Sequence, residues 1–509
     1  MSVTDRHSGQ LRSVVSWVGR FLGPILGISV YVWLQYSAPE LPHPPRVTAA
    51  IGVLIAVYWI TEALPLPVTA LFPLVFFPIA GVYADLESPM KLAAAPYASR
   101  YIFLFMGGFM IALAIERWNL HRRLALLTVL IVGTKPTHLV GGFMIATSFL
   151  SMWLSNTATT LMMLPIGLSV VALLTEESSL RGTSEGNRNF SVCLMLCIAY
   201  AANIGGMATL VGTPPNIFLA GFLTDYSDGI ELGFARWMLV AGPLVVLFLG
   251  ITWWLLTHVI FPIQIQSIPG GRTLIRGELK KLGVMSRPEW TVLVVFVMTA
   301  LGLVLREPVS SWAESNSALF WLSDVNDTTI ALTGALLLFL IPVNRKADVF
   351  ALDWETAKEL PWGVLLLFGG GLSLSNAVTS THLNDWIGEG VTNMGFATVL
   401  SLTVFVTVLV IVLTELTSNI ATVSAFLPVL ASVAEGMGIP VLLLLLPATW
   451  AASCAFMLPV ATPPNAIVFG SGHVRIGEML KAGFILNVVG TVLILLTLYL
   501  LGRPILISG

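Results

Sequence analysis

Apolar stretches of about 20 residues recur along the whole chain, and this feature constrains the fold more than any other. A helix needs about 20 predominantly apolar residues to cross a bilayer. Only 10% of the 509 residues are charged, whereas soluble domains carry about 25%, so the chain cannot cover a water-facing surface. We therefore expect an all-α polytopic membrane protein. Its eleven candidate spans are 14–36, 47–64, 66–84, 100–118, 190–212, 235–260, 288–305, 327–344, 358–377, 440–461 and 482–502.

Two further apolar stretches, 138–174 and 396–431, are longer than one span and have polar centres. These centres read SMWLSNTATT and TELTSNIATV. Irregular backbone at membrane depth must be buried in protein or line a cavity. We therefore predict two re-entrant helical hairpins whose polar tips lie near the midplane. The alternative is two ordinary helices joined by a surface loop, but such a loop would be expected to carry more charge.

Positive charges in the loops predict the orientation, because cytoplasmic loops carry an excess of Lys and Arg. With the amino terminus inside and neither hairpin crossing, the basic loops all face the cytoplasm and the carboxyl terminus lies outside. The first span would be retained as a signal anchor in the plasma membrane, a bacterial inner membrane. The basic residues concerned are Arg122, Arg123, Lys135, Arg181, Arg188, Arg272, Arg276, Lys280, Lys281, Arg287, Arg345, Lys346, Arg475 and Lys481.

The two halves of the chain share motifs at matched spacing. FLFMGGF around Phe105 matches LLFGGGL around Phe368, and SNTAT at Ser155 matches SNIAT at Ser418, both 263 residues apart. The pair VGTPPNIF and VATPPNAIVFG follows at an offset of 249 residues. Each copy would hold five spans and one hairpin, and an odd number of crossings inverts the second copy. Inverted repeats with broken helices that meet at the midplane indicate a secondary transporter.

The motifs divide the chain into four predicted parts. These are a cytoplasmic amino terminus with the first span (1–46), a first repeat with its hairpin (47–260), a cytoplasmic linker (261–287) and a second repeat with its hairpin (288–509).

The SNT and TPPN motifs suit the ends of broken helices. Ser, Asn and Thr cap the free N–H groups of a starting helix, whose positive dipole favours a carboxylate. Prolines are tolerated in a first helical turn, as in the motifs that begin at Thr213 and Thr462. A finishing helix offers carbonyl oxygens, which suit a hard cation such as sodium. No tip contains Lys or Arg, so a bound dianion would need cations beside it, and we expect Na⁺ to be co-transported.

These motifs resemble the divalent anion:sodium symporter family, which includes the dicarboxylate and citrate transporters. The resemblance covers nearly all of the chain after the first span. It implies sodium-coupled symport of di- or tricarboxylates of the succinate, malate, fumarate and citrate class, without catalysis. It also implies a homodimer and an elevator-like movement of a transport domain against a scaffold. The matching segments are YWITEALPLPVTALFP (58–73), SNTATTLMMLPI, VGTPPN, TELTSNIATVSAFLPV and ATPPN.

The resemblance further implies the ligands of two cation sites and one substrate site. The Na⁺ ligands would be Ser151, Ser155, Asn156 and Gly212 at the first site and Thr414, Thr417, Asn419 and Ala461 at the second, several of them through backbone carbonyls. The substrate contacts would be Asn156, Thr157, Thr213, Ser418, Asn419, Thr462 and Pro463.

The second tip departs from the family pattern at Ile420, where many dicarboxylate carriers have Thr. The missing hydroxyl lies at one end of the implied substrate site, so we predict that Ile420→Thr changes the ranking of substrates. Ile420 would either favour another carboxylate, including a tricarboxylate, or weaken dicarboxylate binding.

Two carboxylates lie at or near membrane depth, where such groups are rare and usually functional. Glu415 directly precedes the second tip, where support for the cation site and a purely structural role are both open. Glu62 lies at a span end, which favours a structural role. The segment that begins at His121 is predicted to be a connecting helix along the inner membrane surface.

Three other functions stay open. A sodium-independent carboxylate exchanger and a carrier of sulfate or another inorganic dianion would use the same fold. A polytopic membrane enzyme is disfavoured, because it needs acid, base, nucleophile or metal ligands around one cavity, and the tips offer amides, hydroxyls and backbone.

The three cysteines, Cys193, Cys197 and Cys454, lie in apolar stretches, which favours packing over metal or redox chemistry.

Overall fold

The structure is a computed structural model that describes residues 3–84, 87–133, 135–181, 185–225, 230–265, 270–314, 322–344, 346, 348–392 and 398–507. Nearly all regular structure within these residues is helical, which confirms the predicted all-α class. One small antiparallel ribbon pairs β1 (Pro342–Asn344) with β2 (Val349–Phe350).

The chain before the linker forms twelve of the described helices. A 3₁₀ turn, Ala95–Ala98, joins the fifth helix to the sixth, and a π-helical segment, Leu255–Ile260, extends the twelfth. The helices are α1 (Val3–Ser37), α2 (His43–Thr61), α3 (Leu66–Thr69), α4 (Phe72–Ile79), α5 (Pro89–Ala94), α6 (Arg100–Arg117), α7 (Leu120–Val132), α8 (Pro136–Ser151), α9 (Asn156–Arg181), α10 (Glu185–Gly206), α11 (Pro214–Asp225) and α12 (Phe234–Trp254).

The linker and the second half form the remaining described helices. The last of them continues as a π-helical segment, Leu498–Ile507. The helices are α13 (Gly271–Lys281), α14 (Arg287–Glu314), α15 (Asp327–Leu340), α16 (Trp354–Ala357), α17 (Trp362–Ser380), α18 (Leu383–Thr392), α19 (Val399–Thr414), α20 (Asn419–Gly436), α21 (Leu442–Ala452), α22 (Pro463–Gly470) and α23 (Ile476–Thr497).

The order of elements is the same in the two halves. In the first half, α6 and the short α7 precede the hairpin α8–α9, the broken helix α10–α11 and the long α12. In the second half, α17 and α18 precede the hairpin α19–α20, the broken helix α21–α22 and α23. This order agrees with the predicted repeat, and α7 is the connecting helix predicted to begin near His121. The division into four parts stays a prediction.

Ten of the described helical segments are long and apolar enough to cross a bilayer. Apolar side chains on α1, including Trp17, Phe21 and Ile28, are exposed, as expected for a helix that faces lipid. The chain is therefore a multi-pass membrane protein. The number of crossings and the sides on which the termini lie stay predictions.

Two of the expected spans are interrupted. The stretch 66–84 forms two short helices, α3 and α4, each with Pro at its start, because Pro favours the first helical turn and disfavours helix interiors. The stretch 440–461 contains only the 11-residue α21, and the chain unwinds before it restarts as α22. The core lies around the two broken helices, since α21 is buried at every position and the described part of α10 is almost wholly buried.

Candidate functional site

The site is built from two hairpin tips and the two unwound segments beside them. The helix α8 ends at Ser151 and α9 begins at Asn156; likewise α19 ends at Thr414 and α20 begins at Asn419. Each hairpin therefore breaks at its SNT or SNI motif, as the sequence predicts. The unwound segments, 207–213 and 453–462, precede the two PPN sequences that start α11 and α22.

Three oxygen atoms meet at the first tip, and we call them the first triangle. The Ser151 hydroxyl oxygen lies 2.6 Å from Asn156 Oδ1 and 2.7 Å from the carbonyl oxygen of Ala202. A hydroxyl has one proton and can donate fully to only one of these two acceptors. One close oxygen–oxygen approach is therefore left without a full hydrogen bond, and a cation beside the triangle would stabilise it.

A fourth oxygen adjoins the first triangle. A methyl group added to Gly206 would lie 2.7 Å from Asn156 Oδ1 and 3.0 Å from the carbonyl oxygen of Gly212. These two oxygens therefore flank the same small space, and glycine is required at position 206 because a side chain would fill it. Clustered oxygen ligands are what hard cations prefer. The predicted ligands Ser151, Asn156 and Gly212 are thus brought together.

The second tip repeats this arrangement, and its three oxygens form the second triangle. The Thr414 hydroxyl oxygen lies 2.8 Å from Asn419 Oδ1 and 2.9 Å from the carbonyl oxygen of Ala452. Again one proton serves two acceptors. The hydroxyl and amide positions are offset by 263 residues from those of the first triangle, so the repeat extends to the atoms that would contact a cation.

Helix capping differs between the motifs. Ser155 accepts a hydrogen bond of 3.2 Å from the backbone N–H of Ala158, which is the predicted cap of α9. Thr462 accepts a long hydrogen bond, 3.4 Å, from the N–H of Asn465 at the start of α22. Ser418 makes no side-chain cap on α20; instead its carbonyl oxygen accepts from the Thr422 hydroxyl at 3.0 Å. The two hairpin tips therefore differ in side-chain capping.

The Asn of each TPPN motif fixes the unwound segment before it. Asn216 Nδ2 lies within hydrogen-bonding distance of the carbonyl oxygens of Gly206, Met207 and Thr209, at 2.8–3.3 Å. Asn465 Nδ2 donates to the carbonyls of Ala455 and Leu458, both at 3.0 Å in the second half. These buried amides hold the segments in place where helical hydrogen bonds are missing.

Asn203 connects the two halves directly at the site. Its Nδ2 donates to the Thr462 hydroxyl at 3.1 Å, and its Oδ1 accepts from Asn156 Nδ2 at 3.5 Å. Asn203 is fully buried. Sequence reasoning missed it, although an amide in the mainly apolar carboxyl-terminal part of α10 is a signal of the kind that marked the tips.

Glu415 fastens the second unwound segment through its carboxylate. It accepts from the backbone N–H groups of Phe456, Met457 and Leu458 at 2.8–3.1 Å and from Asn487 Nδ2 at 2.7 Å. It is buried and immediately follows Thr414 of the second triangle. Both roles left open by the sequence fit this geometry: the carboxylate has structural partners, and those partners shape the segment beside the triangle.

The other expected ligands have fewer contacts at the tips. The Thr417 hydroxyl lies 2.6 Å from that of Thr422 and donates to the carbonyl of Leu413, so its contacts lie within its own hairpin. Ala461 is buried in the second unwound segment, where its N–H donates to the carbonyl of Leu458.

The predicted substrate residues differ in exposure. Thr213 and Thr462 are buried, Ile420 is 8% exposed and Thr157 is half-buried. Pro463 is exposed at the start of α22. Ser418 and Asn419 are half-buried. These side chains lie at the starts of α9, α11, α20 and α22, where N–H groups are free of helical partners.

The two tips also differ in what covers them. Trp153 of the first tip packs on Phe234 and Phe296, with ring centroids 5.8 and 5.1 Å apart. In contrast, Leu416 of the second tip is 70% exposed and Val460 of the neighbouring segment is 47% exposed. The first tip is therefore covered by aromatic rings of α12 and α14, whereas apolar side chains at the second tip are exposed.

Known proteins similar to this chain match it over nearly its whole length. The model of the family described as "Sodium:sulfate symporter transmembrane region" matches residues 17–508. The sodium-dependent dicarboxylate transporter SdcS of Staphylococcus saprophyticus is 40% identical over 508 residues, which cover 99% of this chain and 95% of that protein. The SdcS protein of Staphylococcus aureus is 40% identical over 484 residues, which cover 95% and 90% of the two chains.

A solved structure shares the fold. The YdaH transporter of Alcanivorax borkumensis, whose topology is described as unusual, aligns with a TM-score of 0.58 over 91% of this chain and all of that chain, at 14% identity. The family model that matches residues 17–508 and the 40% identity to the SdcS proteins show which family the chain is part of. The chain belongs to the divalent anion:sodium symporter family.

Proposed function

We propose that this protein is a secondary active transporter that couples Na⁺ movement to the symport of a dicarboxylate. The observation that carries the proposal is the pair of matching oxygen triangles, each placed where a hairpin breaks. Relatives that are 40% identical over nearly the whole chain are named sodium-dependent dicarboxylate transporters, which supports the same activity here.

The charge balance of the site supports coupling. The tips 152–157 and 415–420 contain no Lys or Arg, so a dicarboxylate would enter a site without a fixed positive side chain. Transfer of an unpaired charge from water is costly, and Na⁺ bound at the two triangles would offset it. Each net positive charge moved inward gains about 2.3 kcal/mol per 100 mV of membrane potential, so sodium also supplies a driving force.

In this proposal the substrate lies between the two tips and contacts the starts of four half-helices. Backbone N–H groups there, with the helix dipoles, bind carboxylate oxygens. The residues assigned to the substrate are Asn156, Thr157, Thr213, Ser418, Asn419, Ile420, Thr462 and Pro463. The residues assigned to Na⁺ are Ser151, Ser155, Asn156 and Gly212 at the first site, and Thr414, Thr417, Asn419 and Ala461 at the second.

We extend this cation assignment to the carbonyls of Ala202 and Ala452. Each completes a triangle in which one hydroxyl proton faces two acceptors. The protein is proposed to bind and move its substrate without chemical change, because the tips present amides, hydroxyls and backbone groups rather than an acid and a base.

We also propose that the hairpins and broken helices move together as a transport domain, in an elevator-like motion, and that two copies form a homodimer. The bridge from Asn203 to Thr462 joins the broken helices of both halves, which supports their movement as one body. Cross-linking of α6 to the first tip would slow transport if this motion occurs, and native mass spectrometry would detect the dimer.

The central experiment is the uptake of radiolabelled succinate into proteoliposomes, with and without an inward Na⁺ gradient. Sodium-dependent uptake that malate competes with would support the proposal, and competition by citrate would extend the substrate class to tricarboxylates. Uptake that ignores Na⁺ but requires internal carboxylate would instead show an exchanger. Competition by sulfate alone would show a carrier of inorganic dianions.

A further inference from the structure

The linker helix α13 has one strongly basic face. Arg272, Arg276 and Lys280 are exposed and lie four residues apart, so they occupy successive turns on the same side of the helix. None of these three side chains has an ion-pair partner among the residues that the structure describes. Nothing in the transport proposal uses them.

The opposite side of α13 is fixed to the protein. Ile275 is fully buried, and Glu278 pairs with Arg122 of α7 at 2.7 Å and with Lys281 at 2.5 Å. The hydrogen bond from Lys281 is the main reason why the pKa of Glu278 lies below its usual value, so this carboxylate stays ionised and engaged. Glu278 is the one acidic residue in the α13 sequence, and it does not neutralise the basic face.

The neighbouring spans indicate the depth of this face. Trp254 near the end of α12 and Trp290 in the first turn of α14 are both more than half exposed, and exposed Trp residues concentrate at the membrane–water interface. The residues 282–286 alone separate α13 from α14, and they include Val284, which is 93% exposed. The helix α13 therefore lies near the level at which α14 enters the bilayer.

We propose that the basic face of α13, formed by Arg272, Arg276 and Lys280, binds the phosphate groups of anionic phospholipids. Arginine guanidinium groups bind phosphate oxygens in a bidentate manner, and three positive charges at headgroup level, without ion-pair partners among the described residues, complement a negative leaflet. Attraction of one Lys or Arg to such a surface corresponds to about a fivefold change in binding. The proposal concerns lipid binding and holds whichever anion the chain carries.

The test is native mass spectrometry of the full-length protein, extracted from bilayers that contain phosphatidylcholine and 30 mol% phosphatidylglycerol, roughly the anionic content that makes a surface negative. Three variants are compared with the wild type. The face variant is R272Q/R276Q/K280Q, and the charge-preserving variant is R272K/R276K/K280R. The scattered control K91Q/K346Q/R503Q removes three exposed basic residues elsewhere, with the same loss of net charge.

We expect the wild type, the charge-preserving variant and the scattered control to retain phosphatidylglycerol, and the face variant to retain at least tenfold less. Retention of phosphatidylglycerol by the face variant at the wild-type level would overturn the proposal, as would an equal loss in the scattered control. If the face variant retains lipid normally but no longer binds an acidic peptide that the wild type binds, the face is a protein-binding surface and the proposal is wrong. Circular dichroism and size-exclusion profiles check that each variant is folded.

Discussion

The two hairpin tips have the same oxygen triangle but hold it in different ways. At the first tip, the residue after Ser151 is Met152, whose backbone carbonyl accepts a hydrogen bond of 2.5 Å from the Thr209 hydroxyl. The equivalent position in the second half, 263 residues later, is Glu415. Its carboxylate accepts from three consecutive backbone N–H groups and from Asn487.

The repeat has therefore preserved the geometry of the triangles and not their electrostatics. The second triangle has a buried carboxylate in the adjoining residue, whereas the first has neutral hydrogen bonds alone. Charges interact more strongly at short range inside protein than in water. We expect the second site to bind Na⁺ more tightly in the absence of substrate, and the first site to depend more on the bound dianion.

The largest expected effect comes from Glu415→Gln, which removes the charge and keeps the shape. An amide turns one acceptor into a donor that faces backbone N–H groups, and a hydrogen bond to a charged group contributes about 2 kcal/mol. We expect sodium-dependent succinate uptake to fall by about 30-fold, with a raised Na⁺ requirement. The measurement is initial uptake rate against Na⁺ concentration in proteoliposomes of equal protein content.

The matched control for this change is Glu435→Gln on the same helix pair. Glu435 accepts one hydrogen bond from Asn384, at 2.9 Å, and is far from the tip in sequence. Near-normal uptake in this control, with strong loss in Glu415→Gln, would support the electrostatic difference between the tips. If Glu415→Gln transports like the wild type, the carboxylate charge has no role in coupling.

Next in size is removal of the hydroxyl from each triangle, by Ser151→Ala in the first and Thr414→Val in the second. Loss of one oxygen ligand is expected to raise the Na⁺ concentration for half-maximal uptake about tenfold, or roughly 1.4 kcal/mol. Ser151→Ala and Thr414→Val can be told apart if the succinate concentration is varied as well. High succinate should rescue Ser151→Ala more than Thr414→Val, and equal rescue would contradict the proposed difference in cation affinity.

Asn203→Ala is expected to lower succinate uptake by a smaller factor. The substitution affects both halves, because Asn203 contacts Asn156 in the first half and Thr462 in the second. The substitution removes the bond to Thr462 and leaves Asn156 Nδ2 without its acceptor on Asn203, at a cost of about 1 kcal/mol for a neutral hydrogen bond, or about fivefold in uptake. In a double-mutant cycle, Asn203→Ala and Thr462→Val should not be additive. Simple additivity would show that the bridge does not couple the halves.

The smallest expected effect comes from substitutions of Thr157 and Ile420, which follow Asn156 and Asn419 at the two tips. Exchange of side chains between the tips, Ile420→Thr and Thr157→Ile, should alter the ranking of succinate, malate and citrate as competitors by about threefold, because a hydroxyl in reach of a carboxylate contributes about 1 kcal/mol or less. Ser424→Ala on α20 is a suitable control. Unchanged competition profiles in both exchanged variants would place Ile420 and Thr157 away from the substrate.

The sequence predicts those parts of the site whose side chains determine local structure. The SNT and TPPN motifs and their offsets locate both breaks, and Ser155 and Thr462 cap helices as expected. The carbonyls of Ala202 and Ala452 were missed, because any residue supplies a carbonyl and its direction depends on tertiary packing.

The fold, like the site, was predictable from the sequence only in part. Apolar length and low charge determine the class, and the matched motifs indicate the duplicated order of helices. Hydropathy does not reveal where an apolar stretch stops being helical: 440–461 reads as one span, yet α21 ends at Ala452. Buried amides such as Asn465 compensate for the missing helical hydrogen bonds there, and a hydropathy average does not register a single amide.

The hydrogen bond between Asn203 and Thr462 has a consequence for biosynthesis. These residues are 259 positions apart, and at about 5–20 residues per second the ribosome needs tens of seconds to supply the second partner. During that interval the amide of Asn203 is in the membrane without Thr462. The polar interior of the first half is therefore incomplete until the segment that contains Thr462 has been synthesised and inserted into the membrane.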